Sequence, residues 1–379
     1  MSANASRSGE VTIVAHDIGA VGGMERQLAE LIGGLRDLGH EVTVIARTCV
    51  LDDYTGVRFH RVPGPSRPFL LAYPWFMLVG SLAVMRWRRG VVQSTGAIVL
   101  NRVDVIAIHC CHQAYRAMPG RPTRLFRLYG KWVGVVKRVS ERWCVRANPS
   151  ASLVCVSDGV AAEMREHYPE AARNVLTIHN GVDTAAFAPA LRSPDALALR
   201  DRLGISKERL LVAFVGGDWE HKRLRRAIEA LAGAHEWDLL VAGRGQSRLY
   251  EQLAESLGVA DRVHWLGVVS DIQPVYGLAD AFVLPSSYET FSLVTFEAAA
   301  SGLPILATPV NGVRELIEDG RSGMLLDGEA NGIAERLLLL GSDPALRQRL
   351  GAGAREVALR FGWKAMVGAH SDLYERSAV

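Results

Sequence analysis

Two carboxylates flank the segment Glu289-Thr-Phe-Ser-Leu-Val-Thr-Phe-Glu297. The apolar run AFVLPS before it reads as a strand, and FEAAASG at its end reads as a helix stopping at Gly302. A helix starting near Phe291 or Ser292 leaves the amides of Phe291, Ser292 and Leu293 without intrahelical acceptors. Such a turn suits an anion, a diphosphate included. A carboxylate on each side could then accept hydroxyl donors from a sugar or a ribose. The spacing also fits a plainer picture, in which Glu289 only charges a helix N-terminus and Glu297 faces solvent.

A second constellation, Gly216-Gly217-Asp218-Trp219-Glu220-His221-Lys222, follows another strand-like run. Paired glycines let backbone approach a ligand closely, and Lys222 offers a point charge for phosphate. It is not a P-loop, because the Gly-Lys-Ser/Thr ending is absent, and a surface lysine at a helix start fits equally. Gly19, Gly22 and Gly23 miss the dinucleotide fingerprint and Gly243-Arg244-Gly245 is only a fragment of it, which disfavours a dehydrogenase. No Asp-x-Asp occurs to seat a divalent ion. His109 and His112 flank Cys110 and Cys111, but no second ligand pair stands near them for zinc.

These residues need elements to hold them. VTIVAHDIGAVGG is a strand and glycine turn; Met24, Leu28, Leu31, Ile32, Leu35 and Leu38 then recur at helical spacing, and EVTVIAR is the next strand. Strand, helix, strand is a βαβ unit with a parallel sheet. VDVIAIH and SLVCVS continue that series. After the turn-rich HNGVDTAAFAPALRSPD a second series begins: LLVAFVGG, WDLLVAG, VHWLG, AFVLPS and PILAT. Two α/β units are the economical reading for 379 residues, with ligands expected beyond the carboxyl ends of the strands.

With 49% hydrophobic and 22% charged residues, disorder and fibrous repeats are excluded. The net charge of +3 hides an asymmetry: residues 58–146 hold sixteen Lys/Arg against Asp104 and Glu141, while the remainder holds 27 basic and 38 acidic residues. The five cysteines form no CxxC pair, and the polar opening MSANASRSGE has no apolar core of a secretion signal, so a reducing cytoplasm is expected. From Phe69 to Met85 the chain is apolar and closes on Arg86, Arg88 and Arg89. A buried core helix, a membrane-surface element and a short span all fit that stretch. In 123–148, Leu125, Leu128, Trp132, Val135, Val136, Val139 and Trp143 fall near one helical face, with Arg124, Arg127, Lys131, Arg138 and Arg142 elsewhere around it. That pattern reads as a membrane-interface helix or as a core-facing helix with a solvated basic side. The basic stretch alone permits nucleic acid, but RNA-binding motifs are lacking, so no nucleic-acid partner is expected.

Taken together, FVGGDWEHK, IHNGVDTAAF, GLADAFVLPSSYETFSLVTFEAAASGLPILATPVNGVRELIEDGRSG and the opening glycine loop resemble the retaining glycosyltransferases of the GT4 family, over roughly residues 11 to 376. The resemblance implies an α/β GT-B fold, two Rossmann-like doubly wound domains facing across a cleft. An N-terminal acceptor domain would span 1–188, a nucleotide-sugar domain 189–361, and a final helix within 362–379 would return to the first. It places Glu297 at the ribose hydroxyls, Glu289 at the donor sugar, and Phe291, Ser292 and Leu293 at sugar and phosphate. Lys222 would neutralise the departing diphosphate, Gly22 and Gly23 would approach the same phosphate and the acceptor, and His109 would face the donor sugar. Gly267, Val268 and Val269 would read the base. This chain departs from the family pattern at four of these places. Gly217 stands where an arginine is usual, Arg223 where a glycine is common, His179 where a proline is usual, and Ser292 where a glycine is usual. A second phosphate cation would then come from Arg223 or Arg244.

The implied activity is transfer of a sugar from a nucleotide-diphosphate sugar to a hydroxyl of a glycan or lipid-linked acceptor at the cytoplasmic face of an anionic membrane. Retention is expected through same-face attack, with no covalent nucleophile and no metal or other cofactor. Arg124, Arg127, Lys131, Trp132 and Arg138 would contact membrane or acceptor. A nucleotide-sugar epimerase of the same build, and a non-catalytic carbohydrate-binding protein, are the competing readings.

Overall fold

In the computed structural model the described residues are 9–19, 22–115, 124–189 and 192–378, and of 124–126 the backbone alone. The chain forms two compact units, one of residues 1–181 and 363–379, the other of residues 182–362.

Unit 1 runs β1 (Glu10–Ile18), α1 (Gly23–Asp37), β2 (Glu41–Cys49), β3 (Val57–Arg61), α2 (Phe69–Trp87), β4 (Val91–Thr95), β5 (Val105–Ile108), α3 (Arg124–Ala147), β6 (Ser152–Cys155), α4 (Asp158–His167) and β7 (Val175–Thr177). The sheet order is β3-β2-β1-β4-β5-β6-β7, and every pairing is parallel. β1 and β2 carry five consecutive buried residues each, as a parallel strand covered on both faces requires. Leu28, Leu31, Ile32 and Leu35 of α1 close one face of this core.

Unit 2 runs α5 (Pro194–Leu203), β8 (Leu210–Val215), α6 (Leu224–Ala230), β9 (Trp237–Ala242), α7 (Ser247–Ser256), β10 (Val263–Gly267), α8 (Gln273–Leu278), β11 (Ala281–Leu284), α9 (Leu293–Ala300), β12 (Ile305–Ala307), α10 (Val313–Leu316), β13 (Met324–Leu325), α11 (Ala330–Ser342) and α12 (Pro344–Ala358). Its sheet order, β10-β9-β8-β11-β12-β13, is again wholly parallel. In both sheets the order reverses beside the first strand, at β1/β4 and at β8/β11, where crevices for ligands open at the strand ends.

The last helix, α13 (Trp363–Ser377), packs on unit 1 against α1. Met366, Val367, Leu373 and Tyr374 join the hydrophobic core, and buried polar pairs fix the register. His40 Nε2 meets Ser371 Oγ at 2.8 Å, and Tyr374 Oη donates to Gln93 Oε1 at 2.7 Å.

Two helices of unit 1 depart from what a soluble core demands. α2 buries Ala72, Tyr73, Phe76, Gly80, Ser81 and Val84 but exposes Leu71, Trp75, Leu78, Leu82 and Met85. It is therefore half a core helix, and it is long and apolar enough to cross a membrane. α3 exposes Leu128, Trp132, Val135, Val139 and Trp143, so its apolar stripe does not face the core. Leu125 and Arg124 of the expected stripe and its flank lie where side chains are outside the described residues.

Candidate active site

In unit 2 the segments singled out from sequence meet at the carboxyl ends of β8 and β11. Gly216, with φ 136°, turns the chain out of β8; a Cβ there would sit 2.6 Å from Lys222 Cε, so glycine is what lets the lysine cross the strand end. Lys222 Nζ then donates to Glu289 Oε1 at 2.5 Å, and Ser286 Oγ donates to the same oxygen at 2.9 Å. Both charged side chains are largely sheltered, at 16% and 14% exposure. In this partly dry setting the pair is worth more than an exposed one. Ser287 Oγ adds a tie to the His221 carbonyl at 3.0 Å, holding the two loops together.

The helix after Glu289 begins at Leu293, with Ser292 as its cap in the left-handed region at φ 71°. Ser292 Oγ lies 2.7 Å from Thr295 Oγ1. Phe291 is buried and stacks on Phe296 at 4.2 Å, so only its backbone is offered to a ligand. Glu297 is buried at 6% exposure and its Oε2 accepts from Tyr276 Oη at 3.2 Å. The solvated-helix reading of Glu297 is thereby excluded. A carboxylate's two oxygens offer about four acceptor positions, of which the Tyr276 hydroxyl takes one.

Gly217 is exposed, and a Cβ there would meet only the Arg244 carbonyl, at 3.6 Å. Arg223 adopts φ 53°, which accounts for the glycine common at that position. Its guanidinium lies so close over Gly328 that a Cβ there would collide with it, beyond the end of β13. The Arg244 backbone thus adjoins the place of the missing arginine, while the Arg223 guanidinium lies against Gly328. Gly267 ends β10 at φ 65°, and Val268 after it is exposed.

Unit 1 has its own site. Gly22 caps α1 at φ 102°, and the Glu25 carboxylate folds against it, taking the place at the helix N-terminus that an anion would use. His109 ends the β5 segment and lines a cavity of about 310 Å³ that also reaches His16, Met24, Phe69 and Tyr73. The residue is half-buried and its Nε2 has no accessible surface. Burial holds His109, His16 and His112 near pKa 4, helped by His370 for the first, Arg47 for the second, and Lys137 with Arg138 for the third. All three imidazoles are neutral at physiological pH. His16 Nδ1 and His109 Nε2 have no hydrogen-bond partner. Glu141 accepts from the His112 amide at 2.8 Å and from Tyr168 Oη at 2.7 Å, and burial raises its carboxyl above the usual range.

His109, Cys110, Cys111 and His112 gather no metal-ligand set among the described residues. Of the expected contact residues on α3, Arg127, Lys131 and Trp132 are exposed and Arg138 is half-buried. His16 and Lys137 were not singled out by sequence: each is a lone residue there, and only the packing of β1, α2 and α3 brings them to one cavity.

Two parallel-sheet Rossmann-like units have the GT-B architecture. The family described as glycosyltransferase family 4 matches residues 21–186, and that described as glycosyl transferases group 1 matches residues 195–357. The chain belongs to the GT4-type glycosyltransferases. A D-inositol 3-phosphate glycosyltransferase of Xylanimonas cellulosilytica is 29% identical over 402 aligned positions, covering 95% of this chain and 93% of that one. An uncharacterised glycosyltransferase of Methanocaldococcus jannaschii is 27% identical over 326, covering 80% and 81%. Among solved structures, WaaG, a glycosyltransferase involved in lipopolysaccharide biosynthesis, superimposes with TM-score 0.79 at 21% identity, covering 96% and 98%. Anabaena HepE in complex with UDP-glucose does so with TM-score 0.75 at 18% identity, covering 97% and 100%.

Proposed function

We propose that the chain transfers a sugar, with retention, from a nucleotide-diphosphate sugar to a hydroxyl of a glycan or lipid-linked acceptor at the cytoplasmic surface of an anionic membrane. One observation carries the donor half of this reading: Lys222, Glu289, Ser286 and the start of α9 form one preformed cluster at the switch point of the unit 2 sheet. Binding of UDP-glucose by HepE supports a nucleotide-sugar donor.

The chemistry follows from charge. Breaking the glycosyl–phosphate bond leaves positive charge on the sugar and negative charge on the diphosphate. Lys222 and the first amides of α9 oppose the negative charge without reorganising. Glu289 orients the lysine and accepts a sugar hydroxyl when the donor is bound. Glu297 accepts the ribose hydroxyls. The acceptor hydroxyl attacks from the face the phosphate leaves, its proton passes to a departing phosphate oxygen, and no covalent nucleophile is assigned. With the leaving-group charge met by protein cations and amides, the reading requires no metal. The acceptor is held by unit 1, whose cationic stretch and exposed apolar helices suit an anionic lipid surface. An epimerase would use the same donor cluster but would need no acceptor cavity.

The test is thermal denaturation with UDP, GDP or ADP, on wild type and on Glu297→Ala. A nucleotide at about 100 times its Kd stabilises the folded chain by about 2.7 kcal/mol. One nucleotide shifting the wild type and not the variant is the expected result. No shift with any nucleotide overturns the donor assignment.

A further inference from the structure

The loop that delivers Lys222 cannot hold its own shape. Between β8 and α6 it carries Gly216 at φ 136°, Asp218 at φ 51° and Arg223 at φ 53°, the last two left-handed without being glycine. Such backbone persists only where its surroundings over-determine it. Ser287 fixes one end, its amide and its hydroxyl both donating to the His221 carbonyl, at 2.8 and 3.0 Å. Trp219 fixes the other: its Nε1 donates to the Gly216 carbonyl at 2.8 Å.

That carbonyl matters because Lys222 lies on the same residue. A Cβ on Gly216 would sit 2.6 Å from Lys222 Cε and 2.9 Å from its Cδ, so the lysine stem crosses the Gly216 Cα before Nζ reaches Glu289. The indole is 5% exposed and held between two rings, Tyr250 edge-on and Trp265 tilted, each with its centre 5.5 Å away. The Gly243-Arg244-Gly245 fragment completes the socket. A Cβ on Gly245 would collide with the indole ring, and one on Gly243 would collide with the Gly216 carbonyl oxygen. Both glycines are therefore required by the tryptophan and by the carbonyl it holds, with no phosphate invoked.

We propose that Trp219 is a positioning residue for the transfer: through the Gly216 carbonyl it fixes the loop that presents the Lys222 ammonium to the departing diphosphate. The role given to the lysine rests on the function proposed above. The geometry of the loop does not. An indole that only filled the core would need its ring and not its N–H. Losing the N–H lets the Gly216 peptide turn, and a reacting group displaced by about 1 Å forfeits much of its effect on a transition state.

Competitive acetylation of lysines in the full chain tests the geometry without a substrate. The chain has five lysines, and the exposed Lys207 and Lys364 serve as internal standards. In Trp219→Phe, which keeps a ring and loses the N–H, Lys222 should be labelled about tenfold faster, the worth of one lost hydrogen bond, with both standards unchanged. Gly245→Ala, which pushes the indole from its other side, should do the same with the N–H retained. A fold lost in one variant leaves the other to decide. Titration with UDP, GDP or ADP, and with the matching nucleosides, reads the consequence. Trp219→Phe should weaken the bound diphosphate by about tenfold and leave its nucleoside unchanged. In the Lys222→Ala background it should add less than about twofold, because it acts through the lysine. Unchanged Lys222 labelling overturns the proposal, as does an unchanged diphosphate affinity or an equal loss in the Lys222→Ala background. Faster Lys222 labelling in a chain that no nucleoside diphosphate stabilises would overturn the donor assignment and leave the loop geometry standing.

Discussion

The strand ends of the two sheets are built on the same parallel topology and solve opposite electrostatic problems. In unit 2 the charges are present and already paired: Lys222 with Glu289, and Glu297 with the Tyr276 hydroxyl. In unit 1 it is the histidines that are kept neutral, with His16, His109 and His112 enclosed near pKa 4 and His16 Nδ1 and His109 Nε2 without a hydrogen-bond partner. Backbone strain follows the same division. The non-glycine residues at positive φ among those described are Arg192, Asp218, Arg223 and Ser292, all in unit 2, and three of them border the Lys222–Glu289 cluster. Such conformations cost about 1–3 kcal/mol each and persist where surrounding structure holds them. The unit 2 cluster is thus strained and pre-paired, whereas the unit 1 cavity is largely apolar with uncharged imidazoles at its wall.

Removing the charged centre of unit 2 tests the contrast most severely. Lys222→Ala should lower the transfer rate by about 10²–10³, the loss of about 2.7–4 kcal/mol known for one preorganised donor at a developing anion. Because Glu289 loses its partner too, Lys222→Ala/Glu289→Gln should cost little more than the single change. A double variant slower by the product of the two single effects would show that the pair does not act as a unit.

Acid should act on the other region. Unfolded histidines take up protons near pH 6.5, whereas His16, His109, His112 and His370 in the folded chain do so only near 4. Between these values the unfolded state binds more protons, so stability is complete above pH 6.5 and falls as pH drops toward 4. Each such histidine contributes up to about 1.4 kcal/mol per pH unit across that window. Unfolding free energies at pH 6.5 and 4.5, with hydrogen exchange to locate the loss, should show unit 1 loosening first and a shallower slope in His370→Phe. Earlier loosening of unit 2 would break the comparison.

A smaller change sharpens the donor side. Gly217→Arg has room for its Cβ beside the Arg244 carbonyl, so the chain should fold, and a second cation should tighten nucleotide binding by about tenfold, or about 1.4 kcal/mol. Arg244→Ala should weaken the wild type and matter less in the Gly217→Arg background. If Arg223→Ala rather than Arg244→Ala shows that dependence, the cation has been assigned to the wrong strand end.

How much of this the sequence disclosed depends on the range of the interaction. All five apolar runs of the second series are strands, because a parallel strand covered on both faces must be continuously apolar. β4, VVQST, was not anticipated: its polar residues are buried, and Gln93 is tolerable there only because Tyr374, from the far end of the chain, donates to it. β3 alternates, with Val57 and Phe59 packed on the core, but is only five residues long, and β7 and β13 are shorter still, at three and two. The Glu289–Glu297 segment and Lys222 were legible as motifs, but their contact spans 67 residues and is set by the sheet order. α2 is apolar all round, so nothing in its pattern could say which face is buried. The unit 1 cavity was invisible for the same reason that makes it interesting, since its residues come from six separated elements and form no motif.

The smallest expected effect bears on why the exposed apolar faces of α2 and α3 exist. Leu82 and Val139 are 64% and 62% exposed, so Leu82→Ser and Val139→Ser should change folding stability by no more than about 0.5 kcal/mol. Phe76→Ala, on the buried face of the same α2, should be clearly destabilising and serves as the control. Apolar side chains that contribute nothing to folding and still invite aggregation are retained only if something else needs them. Measured against vesicles containing phosphatidylglycerol, the two serine variants should therefore lose association that the wild type shows, with unchanged unfolding curves. Should they instead destabilise the chain as Phe76→Ala does, the stripes are covered in solution by protein, and the contrast would lie between a charged cluster in unit 2 and a packed apolar face in unit 1.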